Sequence, residues 1–228
     1  MRCTGWRTAF GMLVQLFISG MNSALTPWMY SKIKKGDIRS MRKVLQLLSI
    51  VVVGIAVALM LISPELVLIF GSPKYREAVY VIPPVAASVF FIFIYNILSM
   101  PQFYYEKTQF LMAASMAAAG ANVVLNFIFI RLFGYIAAGY TTLACYMLYS
   151  VGHYIVSKRI LVNEGIQENL MSPGFLVACS VFLIGASIIC NLIFPYRILR
   201  YAILLASAGL VFWKKELLLK TMADIRKK

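Results

Sequence analysis

The chain has 228 residues, 61% of them hydrophobic, with a mean hydropathy of +0.82, which is too apolar for a soluble domain of this size. Its net charge of +14 would suit nucleic acid, but the cations lie at the ends and in the loops between apolar runs, where they build no basic face, so nucleic acid is excluded and the lipid bilayer is the expected partner. Cys3, Cys145, Cys179 and Cys190 form no C-x2-C pair, and there is one histidine; free packing thiols, no metal site and no cofactor are expected.

At about twenty residues per crossing, the sequence predicts an all-α, polytopic membrane protein with about seven transmembrane helices. The spans are expected at 8–30, 44–69, 78–105, 110–130, 135–156, 174–192 and 198–213. Residues 1–7 lead into the first span without a small-residue cleavage pattern, so no cleaved signal is expected. The third span is long enough to tilt or bend, with Pro83, Pro84 and Pro101 as the cause. The seventh is short, and Trp213 suits an interface. The tail, 214–228, interleaves Leu217, Leu218, Met222 and Ile225 with lysines, a pattern for an amphipathic helix on the anionic inner leaflet or for a solvated tail.

Loops after odd-numbered spans, together with the tail, carry 15 of the 22 Lys and Arg residues, and the other side carries seven. The positive-inside rule therefore predicts an N-terminus outside and a C-terminus in the cytoplasm.

Within the spans, polar residues are few and patterned. Thr8, Gly11, Gln15, Ser19, Asn22 and Thr26 fall on one helix face of the first span, with Ser23 beside it. Such a stripe must face protein or water, because lipid cannot satisfy it. Asn122 and Asn126, four apart, share a face with Ala114 and Ala118, a pattern for helix packing through small residues and amide hydrogen bonds. His153, near the cytoplasmic end of the fifth span below Thr142, Tyr146 and Tyr149, is expected to be interfacial. None of the eight acids falls mid-span, which leaves it without a carboxylate for a proton relay. An enzyme is not expected: there is no D-x-x-D loop and no G-x-S partner for His153.

Four stretches in order carry a family resemblance. PWMYSKIKKGD at 27–37 is followed by the Tyr-rich outer segment within SPELVLIFGSPKYREAVYVIPPVAASVFF at 63–91. YYEKTQF at 104–110 comes next, and then NVVLNFIFIRLFGYIAAGYTTLACY at 122–146. Together they resemble the C-terminal half of the bacterial polysaccharide-lipid flippases. These are the O-antigen and capsule repeat-unit exporters, relatives of the multidrug and toxin extrusion carriers. The resemblance covers roughly 23–158 and fades beyond Pro173.

It implies the C-terminal lobe of a two-lobe flippase, with residues 1–158 as the lobe of about five helices, 159–213 as two further transmembrane helices and 214–228 as a basic cytoplasmic tail. The chain is then expected to be a fragment, incomplete alone, set in the bacterial cytoplasmic membrane. The substrate implied is an undecaprenyl-pyrophosphate-linked oligosaccharide. The partners implied are a separate N-terminal half or the polymerisation machinery. On this reading Arg7, Gln15, Ser19, Asn22 and Thr26 line the substrate cavity, Arg7 as a fork for phosphate. Lys107 is read as a positive-inside charge. The alternatives are a drug or cation exporter of the same superfamily, which would be expected to place acids in its cavity, and a non-transporting remnant.

Overall fold

Residue 20 and residues 23–70 and 79–213 are described by the computed structural model. Arg7, Gln15, Ser19 and Asn22, the outer-loop stretch 71–78 and the tail 214–228 lie outside the described residues.

The first described helix, α1 at 23–34, stops where the sequence reads KKGD. Gly36 adopts φ +67°, its N–H donates to Ile33 O at 3.0 Å, and that of Asp37 donates to Lys32 O at 3.1 Å. This paired closure requires a left-handed residue, which glycine supplies without a Cβ clash. Asp37 then caps α2 (Ile38–Leu61), accepting the Ser40 N–H at 3.2 Å, and takes the Lys32 ammonium at 2.6 Å. These bonds hold the Asp37 carboxyl down at about 2, the Lys32 hydrogen bond contributing most,.

The span expected at 44–69 is broken at Ile62, and a short helix, α3 (Ser63–Phe70), follows. Pro64 has no N–H to give the Met60 carbonyl, and the Ser63 hydroxyl donates to that carbonyl instead, at 2.8 Å. Hydropathy alone does not register this break, because both sides of it are apolar.

α4 (Ile82–Tyr104) begins on Pro83 and Pro84, placed in its first turn where a missing N–H has no consequence,. Only Pro101 lies inside the helix, in its last turn. α4 is the centre of the molecule: Phe90, Phe93, Ile94, Ile97 and Leu98 are fully buried, packed among α2, α6 and α7. α5 (Gln109–Phe133) ends at Gly134 and is followed by α6 (Ala137–Asn163), making a helical hairpin. α6 crosses α4 closely. A Cβ at Gly139 would stand 2.8 Å from Pro84 Cγ and 3.0 Å from Val81 O, and the buried Ser150 hydroxyl lies 2.9 Å from Phe91 O.

α6 runs seven residues past its expected end at 156, through Lys158 and Arg159. It continues because Ile160 and Leu161 keep a buried face, and stops at Gly165, whose φ of +81° permits the same closure as Gly36,. α7 (Pro173–Ile193) and α8 (Arg197–Trp213) complete the described helices and lie against α2, α7 also against α4. α2, α4, α5 and α7 are each long and apolar enough to cross a membrane,. The protein is an all-α, multi-pass membrane protein.

Candidate functional site

The antiparallel hairpin of α5 and α6 places its polar residues opposite one another, making a seam along an otherwise apolar pair. At one end Asn126 donates to Asn122 Oδ1 at 2.8 Å, and the buried Thr141 hydroxyl lies 2.6 Å from Asn126 Oδ1. The Thr141 hydroxyl also lies 3.0 Å from Ala138 O. Further along, the Ser115 and Tyr149 hydroxyls are 2.7 Å apart. Ser115 is exposed and Tyr149 half-buried, so the seam opens outward there.

Tyr95 of α4 joins from behind, stacked on Tyr146 at 6.3 Å and tilted against Tyr149 at 4.7 Å. Deeper in, His153 lies among Tyr95, Phe110 and Tyr149, with Gln102 Nε2 at 2.7 Å from its Nδ1. The histidine expected at the interface is fully enclosed. α4 and α5 both cover it, and sequence position along α6 gives no account of neighbours so far away in the chain.

Two charged clusters bracket the helices. On the side of the α1–α2 turn, the loop 164–172 ties α2 to the turn between α4 and α5. Glu164 pairs with Lys107 at 2.8 Å, Glu168 with Arg39 at 3.2 Å, and Arg42 donates to Asn169 O at 2.7 Å. Leu170 and Met171 of the same loop are buried. Lys107 is thus a paired surface charge. At the α2–α3 break, the buried guanidinium of Arg200 grips Glu65 through two bonds of 2.8 and 2.9 Å and donates to the Leu61 carbonyl at 2.8 Å. Tyr201 adds a third bond to Glu65 at 2.9 Å. Arg131, in the last turn of α5, lies over the Phe127 ring at 3.9 Å.

Of the cavity candidates read from sequence, the structure describes Thr26 alone, half-buried on α1 with its hydroxyl 3.5 Å from Met100 Sδ. It brings Asn122 and Asn126 together and joins them to Thr141. Sequence reasoning missed the Glu65–Arg200 grip and the Gln102–His153 pair. The signals were an arginine set into an apolar helix with no acid on that helix, and a glutamine in the last turn of α4. Each needs a partner that only another helix can supply.

No curated protein and no solved structure shows a match to the chain. The family model described as MatE matches residues 4–128, more than half of the chain, ending within α5 just past Asn126. The chain therefore belongs to the MatE family, whose members are membrane transporters.

Proposed function

We propose that this chain is the C-terminal lobe of a lipid-linked oligosaccharide flippase, moving undecaprenyl-pyrophosphate-linked repeat units across the bacterial cytoplasmic membrane. One observation carries the reading: among the described residues, no carboxylate stands inside a span. α2, α4, α5, α6 and α7 contain none, and Glu65, on α3, is neutralised by Arg200. Among the described residues, the polar groups midway along α4, α5 and α6 are chiefly amides, hydroxyls and tyrosines, with cations confined to the helix ends and His153 enclosed, and the amides and hydroxyls suit a hydroxyl-rich sugar. A carrier of organic cations needs a negative partner in its cavity.

In this reading residues 1–158 form the lobe that faces the substrate. Residues 159–213 are two further membrane helices, and 214–228 is a basic cytoplasmic tail. Arg7, Gln15, Ser19, Asn22 and Thr26 line the cavity, with Arg7 meeting the pyrophosphate. Asn122 and Asn126 hold α5 to α6. The N-terminus is outside and the C-terminus inside. Alternating access needs a second lobe opposite, so a separate N-terminal half is the expected partner, alongside the polymerisation machinery.

The test is expression in a strain lacking its own repeat-unit flippase. Joined to a donor N-terminal lobe, the chain should restore surface polysaccharide; alone, it should insert in the membrane and restore nothing. A joined protein that extrudes cationic dyes and leaves polysaccharide absent overturns the reading.

A further inference from the structure

Gln102, in the last turn of α4, and His153, on α6, are both 0% exposed. Gln102 Nε2 lies 2.7 Å from His153 Nδ1 and 3.3 Å from the Leu98 carbonyl. The Leu98 carbonyl can only accept, and this fixes the amide: the nitrogen donates, and Oε1 points elsewhere, buried and without a partner,. Nδ1 accepts, so the neutral ring carries its proton on Nε2, which is likewise buried and without a partner,. One joint between two helices thus holds an unused acceptor on the amide and an unused donor on the ring, although buried polar groups are ordinarily satisfied.

The surroundings of the ring are aromatic. Tyr95 of α4 stands at 5.9 Å, Phe110 of α5 at 5.5 Å and Tyr149 of α6 at 4.5 Å. Among the described residues, the titratable groups facing the ring are Tyr95 and Tyr149. Among the described residues, no carboxylate or cation on α4, α5 or α6 bonds to it.

We propose that His153 and Gln102 form a proton-binding site joining α4 to α6, in which the ring takes a proton from hydronium at Nδ1 and the amide turns over so that Oε1 accepts the new N–H. One O–H bond of hydronium breaks and leaves water, one N–H bond forms, and the ring gains the positive charge. The turned amide gives up its bond to Leu98 O, and the charged ring gains a charge-assisted bond and the neighbouring aromatic faces in return. Because the site binds a proton, it fills on acidification. It carries the proton independently of what the protein transports.

The chain contains a single histidine, so ¹⁵N-histidine labelling of the full chain in lipid nanodiscs reads one ring. At neutral pH the nitrogen shifts should show Nε2 protonated and Nδ1 bare, and on acidification Nδ1 should gain a proton. Gln102→Met removes both the donor and the turned acceptor. The charged ring loses the stronger bond, and the midpoint should fall by about one pH unit, a tenfold weaker affinity for the proton. Gln102→Glu supplies a carboxylate and should raise the midpoint. Four results overturn the proposal. These are a proton on Nδ1 at neutral pH, a ring that stays neutral until the protein unfolds, a midpoint that rises in Gln102→Met, or one unmoved in Gln102→Glu. A rise in Gln102→Met would mean that the amide only ever donates.

Discussion

α4 and α5 follow one another in the chain, differ by two residues in length and are closely similar in hydropathy, yet 67% of the most apolar stretch of α4 is buried and none of that of α5 is. In a membrane, apolar surface needs no protein partner, because lipid tails are as apolar as leucine. Hydropathy therefore reports that both helices can cross and is silent on which one becomes the core. α4 is enclosed because α2, α6 and α7 converge on it, with Gly139 and Ser150 letting α6 approach its backbone. α5 is held to α6 by the polar seam, and among the described residues none of its side chains is buried.

The same substitution made in both helices should separate core from flank most clearly. Leu98 of α4 is 1% exposed and Leu132 of α5 is 68% exposed. Leu98→Ala should lower stability in mixed micelles by about 2–3 kcal/mol, toward the low end of the soluble range because the lost term is packing rather than escape from water. Leu132→Ala should stay within about 0.5 kcal/mol. Equal losses in denaturant titrations would show that α5 is a core helix too.

A smaller effect tests the approach of α6 to α4. Gly139→Ala places a methyl group 2.8 Å from Pro84 Cγ and 3.0 Å from a backbone carbonyl, so the helices must part there. The expected loss is about 1–2 kcal/mol, and a thiol–thiol crosslink engineered across the two helix ends should form more slowly than in the parent.

The seam itself is worth less. Asn126→Ala removes the acceptor of Thr141 and the donor to Asn122, but Thr141 retains the Ala138 carbonyl. A loss of about 1 kcal/mol is expected, seen as reduced protein recovered from the membrane; Asn122→Ala should act in the same direction. On the proposed function, Gln15→Ala and Asn22→Ala, built into a full-length carrier, should instead keep near-normal protein levels and reduce polysaccharide export. Protein loss in the second pair with export loss alone in the first would move the cavity to α5.

The smallest effect is electrostatic. The Asp37 carboxyl is held at about 2, below its ordinary value of 3.8, by Lys32 and then Ser40. A depressed carboxyl stabilises the fold above its unfolded value and loses that contribution as pH falls from about 4 to about 2. The Asp37 side chain is 35% exposed, so solvent screening keeps the effect below about 1 kcal/mol. Asp37→Asn should flatten the acid limb of the stability curve in that window and leave neutral pH nearly unchanged.

Much of the helical layout was legible in the amino acids. α5, α7 and α8 lie within three residues of the spans read from hydropathy, because Gly134 and Pro173 mark two of their limits. The reading failed where packing overrode a local cue. Lys158 and Arg159 suggested a loop, but Ile160 and Leu161 found a buried face and α6 continued. Ser63-Pro64 sat inside an apolar run and still split it, because a missing N–H breaks a helix in any solvent,.

That this is a multi-pass all-α membrane protein, and where most of its helices run, can be read from the amino acids alone. Those properties follow from local hydropathy and from glycine and proline, which act within a few residues. That α4 is the core and α5 the flank emerges from how the helices pack. The same packing brings Glu65 to Arg200 across 135 residues and Gln102 to His153 across 51. A buried charge or amide states only that it requires a partner. Which partner it receives depends on how helices distant in the chain converge, and in lipid that is set by small residues and polar contacts rather than by how apolar each helix is.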